Sequence, residues 1–444
     1  MNKNRDLTEG SVSGHLVRLG LPTIIGVAGI FAVSLADTYF LGKLGTDALA
    51  AISFTFPVLL IMASLGIGMA AGAASVVSRA IGKGEVSDTK RFATDSLMIS
   101  IVVASIIGVI GLLTVRPFFA MLGASGDVLD LVCDYMLLWY IGSPLLAVPL
   151  VASGLIRANG DATAPSLAML FGSLLNIALD PLLIFGWGAI PAMGIEGAAW
   201  AQLLSRIFTA AVTLSFVIFR ERLITWSLPS AGELARSFGS IGRVGIPATF
   251  SNMINPISIS IVTALLAGSY GKEAVAAFGV ATRVETLATT PMLALSSAIG
   301  PVAGQNWGRG RHDRTRRAMR DTFIFVIGCG ILIGASFLLL SNAMVDFFTD
   351  DSVVKNLSIS YLTFVGLTLG GYGVVITASA ALNAIDKAVA GLLITVLRSF
   401  VLYVPLTLAA VAIGPPWVVF AGIGVCNLVS GAVSGWLAFR LARD

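Results

Sequence analysis

Long apolar segments alternate with short polar ones along the whole chain. Each apolar segment reaches the roughly 20 residues that a helix needs to cross a bilayer. None alternates like a barrel strand, and only helices satisfy so much backbone in lipid. The pattern therefore predicts an all-α membrane protein with twelve transmembrane helices. The predicted spans, numbered 1 to 12 in order, are 15–41, 48–78, 93–122, 129–157, 163–187, 194–219, 241–268, 274–305, 319–346, 353–384, 388–412 and 416–440.

Composition favours a membrane protein over a soluble one. Of the 444 residues, 56% are hydrophobic and only 12% are charged, and the mean hydropathy is +0.91. Soluble domains carry about 25% charged residues, so this balance disfavours a soluble all-helical enzyme. Cys133, Cys329 and Cys426 show no metal-ligand spacing, and there are only two histidines. We therefore expect no cofactor and no structural metal.

The distribution of lysine and arginine predicts the orientation in the membrane. If the N-terminus is cytoplasmic, the predicted loops place twenty-one of the 28 basic residues inside and four outside. Both termini are therefore expected in the cytoplasm. The other three, Arg206, Arg283 and Arg398, fall within spans, where we expect structural ion pairs. The basic run 309–320 is expected to face anionic lipid headgroups rather than nucleic acid.

The two halves of the chain resemble each other at a nearly constant spacing. The stretch "RLGLPT" (18–23) resembles "RVGIPA" (243–248), and "GTDALAAIS" (45–53) resembles "GKEAVAAFG" (271–279). Six spans in each half give a parallel repeat, a plan of secondary transporters. We expect an N-terminal lobe over 1–219, a cytoplasmic linker over 220–240 and a C-terminal lobe over 241–444. Two such lobes could rock and open a cavity to either side.

Ionisable groups within the spans are the candidate chemistry. The turns "GKGE" and "GRGR" lack the ending of a phosphate-binding loop, so we expect an ion gradient to supply the energy. Asp37 and Asp180 fall late in two outward-running spans, and Asn176 lies one helical turn before Asp180. An acid near mid-membrane costs about 2.5–3.5 kcal/mol. Two carboxylates and an amide at similar depth predict a cation site, for a proton if it is dry or for sodium if it is wet.

Each of these residues also has a simpler interpretation. Asp37 could cap the outer end of span 1, because "DTYFLGKLG" leads out of it. Asp180 is followed by apolar "PLLIFGWG", which favours a buried position, although Pro181 could mark a helix end. Pro22 predicts either a bend in span 1 coupled to Asp37 or a static kink. Pro247, at the matching place of the repeat, has no acid partner, so the static kink stays open.

Methionine, aromatic and amide side chains within the spans could line an adaptable substrate cavity, although most are expected to pack against helices or lipid. The candidates are Phe31, Phe54, Met62, Tyr140, Met169, Phe171, Gln202, Asn252 and Met292.

Five motifs follow one another along the twelve spans. They are "LADTYFLGKLGTDALAA" (35–51), "GLIRANGDATAP" (154–165), "NIALDPLLIFGWG" (176–188), "GIEGAAWAQ" (194–202) and "GPVAGQNWGRG" (300–310). In this order they resemble the multidrug and toxic compound extrusion (MATE) family, which implies drug/cation antiport. Asp37, Asn176 and Asp180 match the N-lobe cation site of its DinF-like branch, where the proline matching Pro22 is associated with bending of helix 1. Spans 7 and 10, which carry acids in the NorM-like branch, contain none here.

The resemblance and the acid pair together predict a multidrug exporter of the bacterial or archaeal inner membrane. It would act as a monomer and release amphipathic, often cationic, small molecules in exchange for protons, with sodium coupling as an alternative. The sequence is also compatible with a lipid-linked oligosaccharide flippase, a major facilitator transporter, an intramembrane protease using Asp37 and Asp180, and a scaffold without flux. The stretch "SRAIGKGEV" matches the basic motif of the facilitator class poorly.

Overall fold

A computed structural model describes residues 6–188, 190–227 and 229–443. These residues form helices joined by short turns, and the only β-type pairing among them is one isolated bridge. The predicted all-α class is confirmed. The helices are α1 (Val12–Gly42), α2 (Thr46–Lys83), α3 (Val86–Met121), α4 (Gly126–Ile141), α5 (Ser143–Ala158), α6 (Thr163–Phe185), α7 (Gly194–Ser215), α8 (Ala231–Tyr270), α9 (Lys272–Ala288), α10 (Thr290–Gly308), α11 (His312–Asp346), α12 (Ser352–Gly366), α13 (Leu369–Ala384), α14 (Ala388–Val396), α15 (Val404–Ile413) and α16 (Pro416–Leu441), with π-helical turns at Phe216–Arg220 and Leu397–Tyr403.

Twelve spans are present when each bent helix pair is counted as one. Nine helical segments of the described chain are long and apolar enough to cross a membrane unaided. The pairs α4–α5, α9–α10 and α12–α13 are bent by 47°, 47° and 57°. Pro144 and Pro291 lie in the first turns of α5 and α10, where a missing N–H breaks no helical hydrogen bond. Each proline therefore starts a new helix at its bend.

Contacts between helices divide the chain into two compact units. The described part of unit 1 is Pro22–Thr249, and unit 2 combines Asp6–Leu21 with Phe250–Asp444. The first part of α1 therefore belongs to unit 2, and the first part of α8 belongs to unit 1. The predicted lobe boundaries were drawn from the duplication rather than from contacts, and they stay a prediction.

Unit 1 holds the beginning of α8 through a buried ion pair on α3. Arg91 donates from Nε to both carboxylate oxygens of Asp95 at 3.0 Å, and Asp95 is fully buried. Ser237 of α8 donates to Asp95 Oδ2 at 2.6 Å, and Arg91 Nη1 donates to the carbonyl oxygen of Ser227 at 2.8 Å. We call Arg91, Asp95 and Ser237 the unit 1 clamp. It joins both the segment before α8 and α8 itself to α3.

Unit 2 holds the beginning of α1 in a similar way. Ser13 of α1 donates to Asp321 Oδ2 at 2.8 Å, and Arg317 Nε lies 3.9 Å from the same oxygen. We call Arg317, Asp321 and Ser13 the unit 2 clamp. It differs from the unit 1 clamp in exposure, since the side chain of Arg317 is 63% exposed.

The segment before α1 is also bound to unit 2. Leu7 is fully buried, its N–H donates to Gln305 Oε1 at 3.1 Å, and its carbonyl oxygen accepts from Asn306 Nδ2 at 3.0 Å. Arg309 Nη1 donates to Thr8 Oγ1 at 2.9 Å. The motif "GQNWGRG" therefore binds the chain immediately before the first span.

Candidate cation site

Small residues allow α1 and α6 to approach each other closely within unit 1. A methyl group added at Gly26 would lie 3.2 Å from the backbone of α6, and one at Gly29 would lie 3.1 Å from Ser173 Oγ. Glycine commonly permits such close contact between membrane helices. Gly29 lies about two helical turns before Asp37. The contact between the helices therefore brings Asp37 of α1 to Asp180 of α6.

The carboxyl groups of Asp37 and Asp180 lie close enough to interact with each other. Asp180 is fully buried, and Asn176 is 2% exposed. Gln202 of α7 donates from Nε2 to Asp37 Oδ2 at 2.7 Å. Apart from the carboxyl contact, Asp37 Oδ1, both oxygens of Asp180 and the amide of Asn176 have no hydrogen-bond partner in the described part of the chain. The three residues predicted as a cation site thus lie together, largely unsatisfied.

Two carboxyl groups as close as those of Asp37 and Asp180 need a proton or a cation to balance their charge. A carboxylate only accepts hydrogen bonds, so two touching carboxylates repel each other unless a proton or a cation lies between them. The amide oxygen of Asn176 is a further acceptor on the same side of α6. No group of three or more His, Cys, Asp or Glu that could hold a metal occurs within the described residues. The two carboxyl groups and the amide oxygen of Asn176 together offer oxygen acceptors to a proton or a small cation.

Arg206 adds a positive charge that the sequence did not place at the site. Its guanidinium carbon lies 4.5 Å from the ring centre of Trp139, and its charge attracts Asp37. No side-chain oxygen of Asp or Glu in the described chain lies within 4.0 Å of it, so the structural ion pair expected there is not formed. Gln202 and Arg206 are four residues apart on α7 and therefore share one helix face. This four-residue spacing is visible in the sequence, but it does not show that the two side chains face Asp37 on α1.

A cavity of about 220 Å³ lies beside these residues, within unit 1. This volume is below the 300–1,000 Å³ or so of typical ligand pockets, so the cavity fits only part of a drug-sized molecule. Three residues predicted from the sequence, Met169, Asn176 and Gln202, line it. The full lining is Ile30, Val33, Leu146, Pro149, Leu150, Ser153, Met169, Gly172, Ser173, Asn176, Gln202, Ser205, Arg206 and Thr209.

The other cavity candidates of unit 1 lie away from this space. Phe54, Met62 and Tyr140 pack in an apolar core formed mainly by α2, α3 and α4. Phe171 is 54% exposed on α6, and Phe31 is half-buried on α1. Their proposed contact with substrate stays a prediction.

Pro22 lies within α1, which runs from Val12 to Gly42 without a break. It is also the residue at which α1 passes from unit 2 to unit 1. The remaining candidates belong to unit 2, where Met292 is fully buried and Asn252 is exposed. The predicted hinge thus coincides with a change in the packing partners of the helix.

Comparison with known proteins decides the family. The MatE family model matches residues 22–182 and, a second time, residues 247–409. The chain belongs to the MATE family. One match in each half agrees with the duplication predicted from the spacing of motifs.

Relatives of this MATE protein match it over nearly its whole length. The FAD transporter of Shewanella oneidensis is 32% identical over 443 residues, which cover 100% of this chain and 98% of that protein. The multidrug export protein MepA of Staphylococcus aureus is 25% identical and covers 97% of this chain and 95% of its own.

Two solved MATE structures show the same architecture. The outward-facing conformation of a multidrug resistance transporter has a TM-score of 0.93 at 26% identity and covers 100% of this chain and 99% of its own. The transporter VcmN of Vibrio cholerae in its bent form has a TM-score of 0.91 at 27% identity, with 97% of each chain covered.

MATE membership confirms several predictions. The protein is a transporter rather than an enzyme, and it is integral to the bacterial inner membrane. Its twelve helices form two lobes, as in the solved MATE transporters. Its relatives include a multidrug export protein and an FAD transporter.

Proposed function

We propose that this MATE protein exports amphipathic small molecules in exchange for protons, as a monomer of the DinF-like type. The observation that carries the proposal is the buried contact between Asp37 and Asp180, beside which the amide of Asn176 also lacks a hydrogen-bond partner. Such a contact is favourable only when a proton or cation is shared. Proton binding and release at this pair would therefore couple the site to an ion gradient.

Alternating access follows from the path of α1 through the two units. Protonation of the pair removes the repulsion between α1 and α6 and lets the two helices pack more tightly. Pro22 is the point at which α1 changes from one unit to the other, and proline removes a helical hydrogen bond there. A bend at Pro22 would move the Asp37 end of α1 against the 220 Å³ cavity and displace its contents outward.

A proton suits the site better than sodium does. Gln202 presents an N–H donor, rather than an oxygen ligand, to Asp37. Arg206 adds a positive charge close to the pair, and a second fixed cation disfavours a metal ion there. Sodium is the alternative coupling ion, and the oxygens of Asp37, Asn176 and Asp180 would be its ligands.

The relatives support two classes of substrate. MepA is named a multidrug export protein, which favours diverse amphipathic compounds, cationic ones among them. The relative with 32% identity is named an FAD transporter, which favours an aromatic molecule that carries phosphates. Both classes combine an apolar ring system with a charged group.

The test is export from proteoliposomes under imposed ion gradients. Purified protein is reconstituted in one orientation, a fluorescent dye is loaded, and its movement is followed under a pH gradient and then under a sodium gradient. We expect flux under the pH gradient that a protonophore abolishes. Flux that needs sodium and ignores the pH gradient would overturn the choice of proton, and flux under neither gradient would overturn coupled export.

A further inference from the structure

Unit 2 contains a polar cluster around Arg398 at mid-membrane depth. Arg398 lies on the π-helical turn Leu397–Tyr403, which joins α14 and α15 into one span. It is ten residues from the start of that span, or about 15 Å along a helix. Single π-helical turns inside helices are frequent at functional sites. The residue is 8% exposed, so its charge is largely removed from water.

The neighbours of Arg398 leave its charge only partly compensated. Its Nη1 donates to Asn255 Oδ1 at 3.3 Å, and its Nη2 donates to Asn427 Oδ1 at 3.2 Å. Both are long bonds to neutral oxygens. Its Nε has no hydrogen-bond partner in the described part of the chain. A buried guanidinium normally faces a carboxylate with two parallel hydrogen bonds, and this one does not.

Glu285 is the acid whose charge acts on Arg398, but it is held elsewhere. Tyr361 donates its hydroxyl to Glu285 Oε2 at 2.5 Å. Within the described chain, no ion pair within 4.0 Å joins Glu285 to Arg398. Glu285 therefore attracts Arg398 at a distance without forming an ion pair with it.

Two tyrosine rings flank the guanidinium. Its central carbon lies 4.5 Å from the ring centre of Tyr372 and 5.5 Å from that of Tyr403. Tyr372 and Asn255 are half-buried, whereas Arg398, Tyr403 and Asn427 are buried, so the first two form the more exposed side of the cluster. A ligand that entered there would meet an aromatic surface first and the guanidinium behind it.

We propose that Arg398 binds the anionic group, a phosphate or a carboxylate, of an aromatic molecule whose ring lies against Tyr372. The fork of Arg398 matches such groups with two N–H donors, and an incoming anion would replace the long bond to Asn255. This site deepens the proposed export function and rests on it, since it names the class of substrate. It is separate from the acid pair of unit 1, so substrate anion and proton have different sites.

The repeat gives independent support. At the spacing that relates 45–53 to 271–279, the counterpart of Arg398 in the first half is Gly172, which lines the cavity of unit 1. A methyl group at Gly172 would lie 2.2 Å from Thr209 Oγ1, so no long side chain fits there without displacing that residue. The corresponding position of unit 2 thus carries a cation where unit 1 has no room for a long side chain.

A lipid headgroup has the same anionic chemistry as a phosphorylated solute. The mid-span position of Arg398 favours the solute, because headgroups lie at the membrane surface rather than about 15 Å along a span. We therefore assign the site to the transported molecule, and the experiment below separates the two sources.

The test is binding of flavin mononucleotide and of riboflavin, which share one ring system and differ in a phosphate. Fluorescence titration uses the full-length protein in phosphatidylcholine liposomes. We expect the phosphate to tighten binding about tenfold or more, the effect of hydrogen bonds to a charged group.

Arg398→Gln should remove this advantage and leave riboflavin affinity unchanged. Arg398→Lys should keep part of it, and because it preserves the buried charge it guards against loss of folding. Arg283→Gln, at an exposed arginine of α9, is the matched control and should match the wild type.

Three results would overturn the proposal. One is equal affinity of the wild type for the two flavins. Another is an equal loss of phosphate preference in Glu285→Gln and Arg398→Gln, which would mark a structural pair. The third is displacement of flavin mononucleotide by added phosphatidylglycerol, which would mark a lipid site. The proposed proton coupling is tested separately, by dye flux of the wild-type protein under a pH gradient.

Discussion

The cytoplasmic ends of the two halves have kept the same chemistry, whereas their membrane interiors have not. At the spacing of the repeat, Arg91 and Asp95 of the unit 1 clamp correspond to Arg317 and Asp321 of the unit 2 clamp. In both clamps a serine near the start of a long helix donates to the aspartate. The duplication therefore retained the contacts that fix α8 on unit 1 and α1 on unit 2.

The mid-membrane polar groups show no such repeat. At the same spacing, the counterparts of Asp37 and Asp180 in the second half are Thr263 and Leu406. The counterpart of Arg398 in the first half is Gly172. One half thus carries an acid pair and the other an arginine between tyrosines. The difference indicates that the two halves share their helical framework but not their buried polar groups.

The largest expected effect is loss of the acid pair. In Asp37→Asn or Asp180→Asn the two side chains can no longer share and release a proton, so pH-driven export should fall to the level of empty liposomes. Dye flux in proteoliposomes measures this. Thr263→Ala, at the repeat counterpart of Asp37, is the matched control and should retain wild-type flux. Full flux in Asp37→Asn would remove that residue from coupling.

The next largest effect is expected at the two clamps, where the loss of stability should be larger in unit 1 than in unit 2. Asp95→Asn leaves Arg91 buried beside a neutral partner, and breaking a buried pair costs about 3–5 kcal/mol. Asp321→Asn breaks a more exposed pair, which is worth about 1 kcal/mol or less. Thermal unfolding of the purified variants should therefore show a much lower Tm for Asp95→Asn than for Asp321→Asn. Equal Tm values would mean that the difference in burial between the clamps does not affect the stability of the protein.

Much of the helical architecture could be predicted from the sequence, because the length of apolar segments, the basic loops and the spacing of motifs are properties of the chain itself. The acid pair could also be anticipated, since a charged residue within an apolar run is visible without a structure. The bends were not, because a proline such as Pro144 is compatible with either a continuous or a broken span. The Arg398 cluster was missed because Asn255, Tyr372 and Asn427 come from three other helices, and their meeting depends on packing angles that one sequence does not encode locally.

The smallest expected effect concerns the segment that precedes α1. This segment has no counterpart among the buried polar contacts of unit 1. Burial alone would raise the pKa of the Asp6 carboxyl, but hydrogen bonds from Thr8 and the charge of Arg309 outweigh it and hold the pKa below its usual 3.8. The ionised form therefore stabilises the docked segment, and this contribution is present at neutral pH and disappears as the pH falls below that value. It should amount to less than about 1 kcal/mol, because the side chain is only partly buried.

Hydrogen exchange at the backbone amides of Leu7 and Thr8, corrected for the intrinsic pH dependence of exchange, measures the docking of this segment. Protection should decrease on acidification through the acid range, and Asp6→Asn should show the lower protection already at neutral pH. Asp313→Asn, which changes an exposed carboxylate at the start of α11, should leave the protection and its pH dependence unchanged. If Asp6→Asn kept full protection at neutral pH, the contacts of Leu7 with Gln305 and Asn306 and the arginine bonds to Thr8 would suffice to hold the segment without the Asp6 carboxylate.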